Sequence, residues 1–292
     1  MFISTNLAVI FDFDDTLVPD SSTLFFKKYN VDARSFWETD LKRLIQKGYD
    51  PSLGFIKLLL DKIGPTKPFG NLTNADLNKF GAELDAHYYP GIPEIFGDLR
   101  TIVNRYKFSI DFYIISGGLQ EIITGSKVVQ ENFTAVYGCQ LEEAGKPPRL
   151  KYIKKVISFT EKTRFLFEIN KGITPDISTK NPYAVNRDIP RDERQVPFPN
   201  MVYVGDGLTD IPCFSTLSQY GGTPFGVFDP HNPAKAKRAL IDFLKTNRVV
   251  SMHSPNYMDG AELGTFLRAA VSNICNRIAV AFETANRKFS ES

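Results

Sequence analysis

The sequence predicts an α/β protein with a doubly wound (Rossmann-like) parallel sheet core and an inserted helical cap domain. Short, wholly apolar runs occur at 7–11, 112–115, 201–204 and about 225–228, and such runs are typical of strands buried on both faces. Ser-Gly-Gly follows the second run and Gly-Asp-Gly the third, and each is followed by helical patterning. Repeated strand, turn and helix indicate a doubly wound domain.

The helical cap is predicted from the stretch between the first two strands. Amphipathic patterns separated by Asn, Asp, Gly and Pro predict helices at 22–29, 33–47, 52–63 and 74–89. Tyr89-Pro90-Gly91 is interpreted as the hinge where the chain returns to the core. We therefore expect a core domain of residues 1–18 and 90–292 and a helical cap domain of residues 19–89.

The later part of the chain has three further features. Turn residues between alternating runs at 139–157 are consistent with a hairpin, and 171–200 is rich in Pro, Asn and charge, as in a surface loop. Near the end, apolar residues recur at spacings of three and four, which predicts one apolar helical face that packs on the core. That face consists of Leu263, Leu267, Val271, Ile274, Ile278 and Phe282.

Composition and charge exclude several classes of function. The 292 residues are 42% hydrophobic, with a net charge of +2, so neither nucleic acid nor an anionic membrane is expected as a partner. The three cysteines are widely spaced and lack a CxxC pair, which favours reduced thiols and a cytoplasmic protein. The first residues lack the positively charged region with which a signal peptide begins. No run approaches the ~20 apolar residues of a membrane span.

Two carboxylates mark the end of the first predicted strand. Asp12 and Asp14 lie in the segment DFDDT, and residues two apart at a strand end can face the same crevice. Close carboxylates raise the pKa of one of them, which suits one as nucleophile and the other as acid or base. An acidic turn without function is the alternative, but three acids at a buried strand end are costly without a cation. The motif therefore indicates a metal.

The second predicted strand ends in another candidate motif. Ser116 is followed by Gly117 and Gly118, and a hydroxyl with glycine amides at a helix start can form an anion cradle. Alone the signal is weak, because Ser-Gly-Gly is also an ordinary turn.

A second acidic pair follows the third predicted strand. Asp206 ends that strand in the segment GDGLTD, and Asp210 lies one helical turn further on. Carboxylates are the hard oxygen ligands that Mg²⁺ prefers. An acidic N-cap with a second acid in the first helical turn is the alternative for this segment alone.

A lysine with an anionic partner is predicted by helix electrostatics. Thr160 is a candidate N-cap for a helix over 161–170, which places Lys162 in its first turn and Lys171 at its end. A cation is favourable at a helix C-terminus and unfavourable at the N-terminus, so Lys162 needs an anion such as Asp12 or Asp210. Lys154 and Lys155 remain alternatives, because predicted boundaries can shift by a few residues.

The four segments together resemble the haloacid dehalogenase-like hydrolase superfamily. The segments DFDDT, ISG and GDGLTD, with a lysine before the last, are similar to that superfamily's DxDxT, Ser/Thr, Lys and GDxxxD motifs in the same order. They span residues 12–210. The helical insert resembles the cap that one branch places after its first strand, and the arrangement is most similar to the phosphoserine-phosphatase-like branch.

The resemblance implies a covalent phosphoryl-transfer mechanism. Asp12 would attack phosphorus to form an aspartyl-phosphate, and Asp14 would protonate the leaving oxygen and then activate water. Mg²⁺ would be held by the carboxylates of Asp12 and Asp206 and by the backbone carbonyl of Asp14.

The remaining motif residues would hold the phosphoryl group. By resemblance, Ser116 and the Gly117 amide bind its oxygens, and Asp210 supports the metal or the lysine. The superfamily's lysine also opens a helix, so the role is assigned to Lys162.

The sequence thus predicts a Mg²⁺-dependent phosphatase acting on a small phosphorylated metabolite, as a monomer or homodimer. An acid at position 14 favours phosphatases or phosphomutases over the dehalogenases and transport ATPases of the superfamily. A phosphomutase or phosphotransferase, or a non-catalytic phosphate-sensing protein, remains an alternative. Residues 18–22 (VPDSS) lack the glutamate with which phosphoserine phosphatases hold their substrate, so phosphoserine itself is not favoured.

Overall fold

A seven-stranded sheet organises the protein, which a computed structural model describes over residues 3–233, 236–237 and 240–290. The strand order is β4-β3-β2-β1-β5-β6-β7, and all neighbouring strands are parallel except β3 and β4. Helices flank the sheet, so the predicted α/β doubly wound fold is confirmed. The strands are β1 (Asn6–Phe11), β2 (Ser109–Leu119), β3 (Ala135–Ala144), β4 (Arg149–Lys155), β5 (Met201–Gly205), β6 (Thr223–Val227) and β7 (Ser251–His253).

The first strand lies at the centre of the sheet. Residues 7–11 are buried on both faces, which explains why this strand reads as one apolar run. Phe11 is in register with Ile114 of β2 and with Val204 of β5. The carboxyl ends of the three central strands therefore meet at one edge of the sheet.

The second strand is longer than expected. Residues 116–118 were predicted as a turn that opens a helix, and this is wrong: β2 continues to Leu119. The register with β3 shifts between Ile115 and Leu119, and Leu119 then pairs with Cys139. The Ser-Gly-Gly segment is thus an irregularity within a strand, of the kind that re-aims side chains near functional sites.

The chain between β1 and β2 is helical, as predicted. Its helices are α1 (Ser21–Lys28), α2 (Ala33–Ser35), a π-helical turn (Phe36–Leu41), α3 (Lys42–Gln46), α4 (Pro51–Asp61), α5 (Asn74–Glu83) and a 3₁₀ turn (Leu84–His87). Asp20, Asp32, Asp50 and Thr73 each accept a backbone N–H at a helix start, which satisfies otherwise unpaired donors.

The remaining helices surround the sheet. In the described part of the chain they are α6 (Glu94–Asn104), α7 (Gln120–Gly125), α8 (Lys127–Asn132), α9 (Phe159–Asn170), α10 (Pro175–Lys180), α11 (Ile211–Tyr220) and α12 (Glu262–Ser290), together with a 3₁₀ turn (Leu208–Asp210) and a π-helical turn (Leu240–Leu244). The hairpin expected within 139–157 is β3 and β4. The predicted 171–200 loop contains α10 and the 3₁₀ turns Ala184–Asn186, Arg191–Glu193 and Phe198–Asn200. The helix over 159–170 begins after Ser158 rather than at the expected Thr160.

One helix of the insert packs so closely on the core that the backbones of the two helices are in contact. A Cβ on Gly81 of α5 would lie 2.0 Å from the Ile122 carbonyl oxygen of α7, and a Cβ on Gly125 would lie 2.1 Å from the Asn78 carbonyl oxygen. Only glycine permits so close an approach at both positions. The contact fixes α5 relative to the core.

The described helices include none that is long and apolar enough to cross a membrane. The three cysteines, Cys139, Cys213 and Cys275, are buried and free of disulfides.

The predicted apolar face of the last helix packs on the core. Leu263, Leu267, Val271, Ile274 and Ile278 of α12 are buried in the main hydrophobic cluster. Arg268 on the same helix donates to Asp98 of α6 at 2.5 Å.

Two valines of α12 provide a matched stability test. Val271 is 0% exposed and Val280 is 61% exposed. Val271→Ala should lower the free energy of unfolding by roughly 2 kcal/mol, because it removes two buried methyl groups and leaves a cavity. Val280→Ala should be neutral or slightly stabilising, since alanine has the higher helix propensity. Urea unfolding measures both, and equal effects would contradict the packing of this face.

Candidate active site

The predicted motif residues gather at the carboxyl edge of the central strands. Asp12 directly follows β1, Ser116 lies in β2, and Asp206 directly follows β5. The Asp12 N–H donates to the Val204 carbonyl at 2.9 Å, which extends the β1–β5 pairing to the site. Because these strands are adjacent and parallel, motifs far apart in sequence open into one cavity.

Lys162 joins the motifs through two buried ion pairs. Its Nζ lies 2.8 Å from Asp12 Oδ2 and 2.7 Å from Asp210 Oδ1. The lysine is 1% exposed, and burial alone would lower its pKa, but the two carboxylates outweigh burial and hold the pKa above its usual value. The structure thus places Lys162 beside Asp12 and Asp210, the two anions that the helix electrostatics suggested as its partners.

The other three lysines considered lie elsewhere. Lys171 donates to the carbonyl oxygens of Val185 and Arg187, at 2.7 and 2.6 Å. Lys154 is exposed on β4, and Lys155 Nζ lies 5.9 Å from the centre of the Phe165 ring.

Asp210 is held by three donors. Its Oδ1 accepts from Lys162 and from the Tyr203 hydroxyl at 2.7 Å, and its Oδ2 accepts from the Gly207 N–H at 2.9 Å. A Cβ on Gly205 would lie 2.6 Å from Asp210 Oδ2, so this position must be glycine. Tyr203, which is fully buried, was not predicted as part of the site.

The two carboxylates of the first motif are in different electrostatic environments. Asp12 Oδ1 accepts from the Phe13 N–H at 2.7 Å; burial raises the pKa of Asp12 to about 6, and the positive charge of Lys162 limits the rise. Asp14 Oδ1 accepts from the Ser21 N–H at 2.7 Å. Burial and the negative charge of Asp20 raise the pKa of Asp14 to about 8. The pKa of Asp14 thus lies above that of Asp12, a difference that suits Asp14 as the proton donor and Asp12 as the carboxylate.

Ser116 and the two glycines after it line the cavity beside Asp14. The Ser116 hydroxyl is buried and accepts from the Gly118 N–H at 3.0 Å. A Cβ on Gly118 would lie 2.9 Å from Asp14 Oδ2, so glycine allows the carboxylate to approach the strand. Gly117 lines the same cavity.

Three carboxylates at this edge fit a divalent cation. Asp12, Asp206 and Asp210 each offer an oxygen, and these oxygens lie within 4.8 Å of one another. Two of them, Asp12 and Asp206, are predicted metal ligands. Asp210 accepts from Lys162, Tyr203 and Gly207, which favours a role in holding Lys162. The hard oxygen donors suit Mg²⁺.

The cavity extends from the motif residues to the helical insert. Its volume is about 260 Å³, and its far side is apolar. That side was not anticipated from the sequence, because it combines residues from separate helices with one from the core. It is formed by Trp37, Leu41, Pro51, Phe55 and Phe159.

Comparison with known proteins gives one sequence relative. No protein-family model matches the chain. An uncharacterized protein of Borreliella burgdorferi is 29% identical over 290 residues, and the alignment covers 88% of this chain and 93% of that protein.

Two of the solved structures that share the fold are similar over most of this chain. One is a HAD family hydrolase from Salmonella enterica serovar Typhi, with a TM-score of 0.51, 15% sequence identity and 81% of this chain covered. The other is a probable phosphoserine phosphatase from Vibrio cholerae, with a TM-score of 0.52, 12% identity and 93% covered. This chain spans 66% of the length of each. The similarity confirms, at the level of the fold, the resemblance to haloacid dehalogenase-like hydrolases.

Metal binding can be tested without measuring turnover. Mg²⁺ should stabilise the folded protein, because the carboxylates that would hold it come together only on folding; at about 100-fold above its Kd the gain is about 2.7 kcal/mol, a rise of several degrees in Tm. Asp206→Asn should abolish the rise, whereas Asp192→Asn, on an exposed 3₁₀ turn that does not line the cavity, should retain it. Thermal unfolding with and without MgCl₂ measures this, and an unchanged rise in Asp206→Asn would refute the assignment.

Proposed function

We propose that the protein is a Mg²⁺-dependent phosphatase that hydrolyses small-molecule phosphate monoesters through an aspartyl-phosphate on Asp12. The observation that carries this proposal is the buried contact of Lys162 with Asp12 and Asp210, beside Asp14, whose pKa is raised to about 8. The two structural neighbours, a HAD family hydrolase and a probable phosphoserine phosphatase, support it.

The first step transfers the phosphoryl group to the protein. A carboxylate oxygen of Asp12 forms a bond to phosphorus while the bond from phosphorus to the ester oxygen breaks. The departing oxygen takes the proton of Asp14. A carboxyl group with a pKa of about 8 carries that proton at neutral pH and can therefore act as the acid.

The second step returns the phosphoryl group to water. Asp14, now ionised, takes a proton from a water molecule, whose oxygen attacks phosphorus and displaces the Asp12 carboxylate. Inorganic phosphate leaves, and both aspartates return to their starting protonation states. One residue serves as acid and then as base because the two steps are chemically symmetrical.

Positioning and charge neutralisation complete the mechanism. Lys162 orients Asp12 and can face the phosphoryl oxygens, while the Ser116 hydroxyl and the Gly117 N–H hold those oxygens. Mg²⁺ would be held by the carboxylates of Asp12 and Asp206 and the backbone carbonyl of Asp14, and when bound it neutralises phosphoryl charge. A cavity of about 260 Å³ has room for a phosphoryl group and a small leaving group.

The nucleophile is tested by Asp12→Asn. This variant keeps the size of the side chain but cannot attack phosphorus, so phosphate release from a panel of phosphorylated metabolites with Mg²⁺ should fall to background. The wild type should release phosphate to water, as a phosphatase does and a phosphomutase does not. Appreciable release by purified Asp12→Asn, free of contaminating phosphatase, would contradict the covalent route.

The lysine is tested by a matched pair of substitutions. Lys162→Met should lower kcat/KM at least about tenfold, equivalent to about 1.4 kcal/mol of transition-state stabilisation. Lys171→Met should remain near wild type, because Lys171 contacts only loop carbonyls among the described residues. Steady-state kinetics at saturating Mg²⁺ measures both, with thermal unfolding to check the fold. The reverse order of effects would show that the assignment is wrong.

A further inference from the structure

A second cavity lies on the face of the sheet that α9 covers, near the amino ends of β2 and β3. Its volume is about 640 Å³, larger than that of the active-site cavity, and the two share no lining residue. Asp111 and Tyr113 of β2 and Ala135 and Tyr137 of β3 line one side. Residues two apart along a strand point to the same face, and Tyr113 is in register with Ala135. These four side chains therefore share one face of the sheet.

The other side of the second cavity lies where α9 ends and α10 begins. Ile169 of α9 lines it, as do residues 172–176 and Gln195. Gly172 has a φ of +69°, the left-handed conformation with which many helices end. The sheet and the ends of two helices therefore bound the second cavity.

Tyr137 brings an unused polar group to this cavity. Its side chain is 4% exposed, and its ring stacks on Phe165 of α9 with centres 4.3 Å apart and an interplanar angle of 24°. The hydroxyl has no hydrogen-bond partner in the described part of the chain, and it is not among the unpartnered polar atoms that the protein encloses completely. It is therefore open to the cavity that the side chain lines. Because buried polar groups are nearly always paired, its partner must come from the cavity.

The charged groups that line the second cavity are negative. They are Asp111 and Asp176, and the described lining residues include no lysine, arginine or histidine. Asp111 accepts from the Thr134 hydroxyl at 2.7 Å. Neither aspartate forms an ion pair with a described residue. The two carboxylates therefore leave negative charge at the cavity.

The two tyrosines respond to this charge. Burial raises the pKa of Tyr113, and the charge of Asp111 raises it further. Burial also raises the pKa of Tyr137, and the charge of Glu168 adds to the rise, although Glu168 Oε1 pairs with Arg164 at 3.0 Å. The other oxygen of Glu168 is buried and has no hydrogen-bond partner among the described residues. The electrostatic environment of both hydroxyls is therefore one that favours a cation.

We propose that the second cavity binds a small organic cation that carries primary ammonium groups. Such a ligand supplies what the lining lacks: positive charge for Asp111 and Asp176, and a donor for the Tyr137 hydroxyl oxygen. Tyrosine rings also attract cations, and a volume of about 640 Å³ is that of an ordinary small-molecule site. The site is separate from the proposed phosphatase site and does not depend on that activity.

Calorimetric titration with 1,4-diaminobutane tests the proposal. The full-length protein is kept in saturating MgCl₂, so that Mg²⁺ competes for the carboxylates of the active site. We expect a Kd of about 1 mM or tighter. Butane-1,4-diol, which has the same chain without charge, and succinate, which has the opposite charge, should not bind measurably. Absence of diamine binding, or equal binding of the diol or of succinate, would overturn the proposal.

Substitutions in the second cavity locate the binding. Tyr137→Phe removes the hydroxyl and retains the ring that stacks on Phe165, and it should weaken diamine binding at least about threefold. Asp111→Asn removes the charge and retains an acceptor for Thr134, and it should weaken binding at least about fivefold. Asp192→Asn, which is exposed and lines neither cavity, should leave the Kd unchanged. The same Kd in all these variants would show that the diamine binds elsewhere.

A third substitution keeps the test independent of the buried residues. Asp176 is exposed in the first turn of α10, so Asp176→Asn should fold normally, as thermal unfolding can check. It should weaken diamine binding at least about threefold, because one of the two lining carboxylates loses its charge. An unchanged Kd in Asp176→Asn would contradict the proposal.

Discussion

The buried ammonium of Lys162, held between Asp12 and Asp210, is the interaction on which the geometry of the site depends. It joins the end of β1, the first turn of α9 and the turn after β5, which lie far apart in sequence. Burying charged groups is costly unless the geometry of their ion pairs is close to ideal. This requirement limits which residues can stand next to Asp210. The Tyr203 hydroxyl donates to Asp210, and Gly205, which has no side chain, leaves room for the Asp210 carboxylate. The network therefore fixes the positions of three charged side chains at the edge of the sheet.

The sheet edge and the helical insert make separate contributions. The edge of β1, β2 and β5 brings together the aspartates and the Ser-Gly-Gly segment of the motifs. The insert supplies an apolar surface around Trp37. Its helix α5 packs on α7 with backbone contacts at Gly81 and Gly125. Because that contact leaves no room for a side chain, at least one helix of the insert keeps its place on the core.

The sequence predicted the features that leave a local pattern. Central strands are wholly apolar because both faces are buried, and Lys162 was chosen because a cation in a first helical turn needs an anion nearby. Features that depend on three-dimensional packing were missed: the hydrogen bond of Tyr203 to Asp210, the apolar side of the cavity around Trp37, and the short edge strand β7. Ser-Gly-Gly was taken for a turn because glycine breaks strands in general, whereas here it forms an irregularity within β2. The chemical roles of the site residues remain predictions.

The central claim, a covalent phosphoryl intermediate on Asp12, can be tested directly by trapping it. The protein with Mg²⁺ is mixed with a phosphate monoester labelled in the phosphoryl group and quenched in acid within the first turnover. Peptide mass spectrometry should then locate a phosphoryl group on Asp12, and hydroxylamine should remove it, as expected of an acyl phosphate. Turnover that leaves no phosphoryl group on the protein, or that leaves one on another residue, would contradict the account.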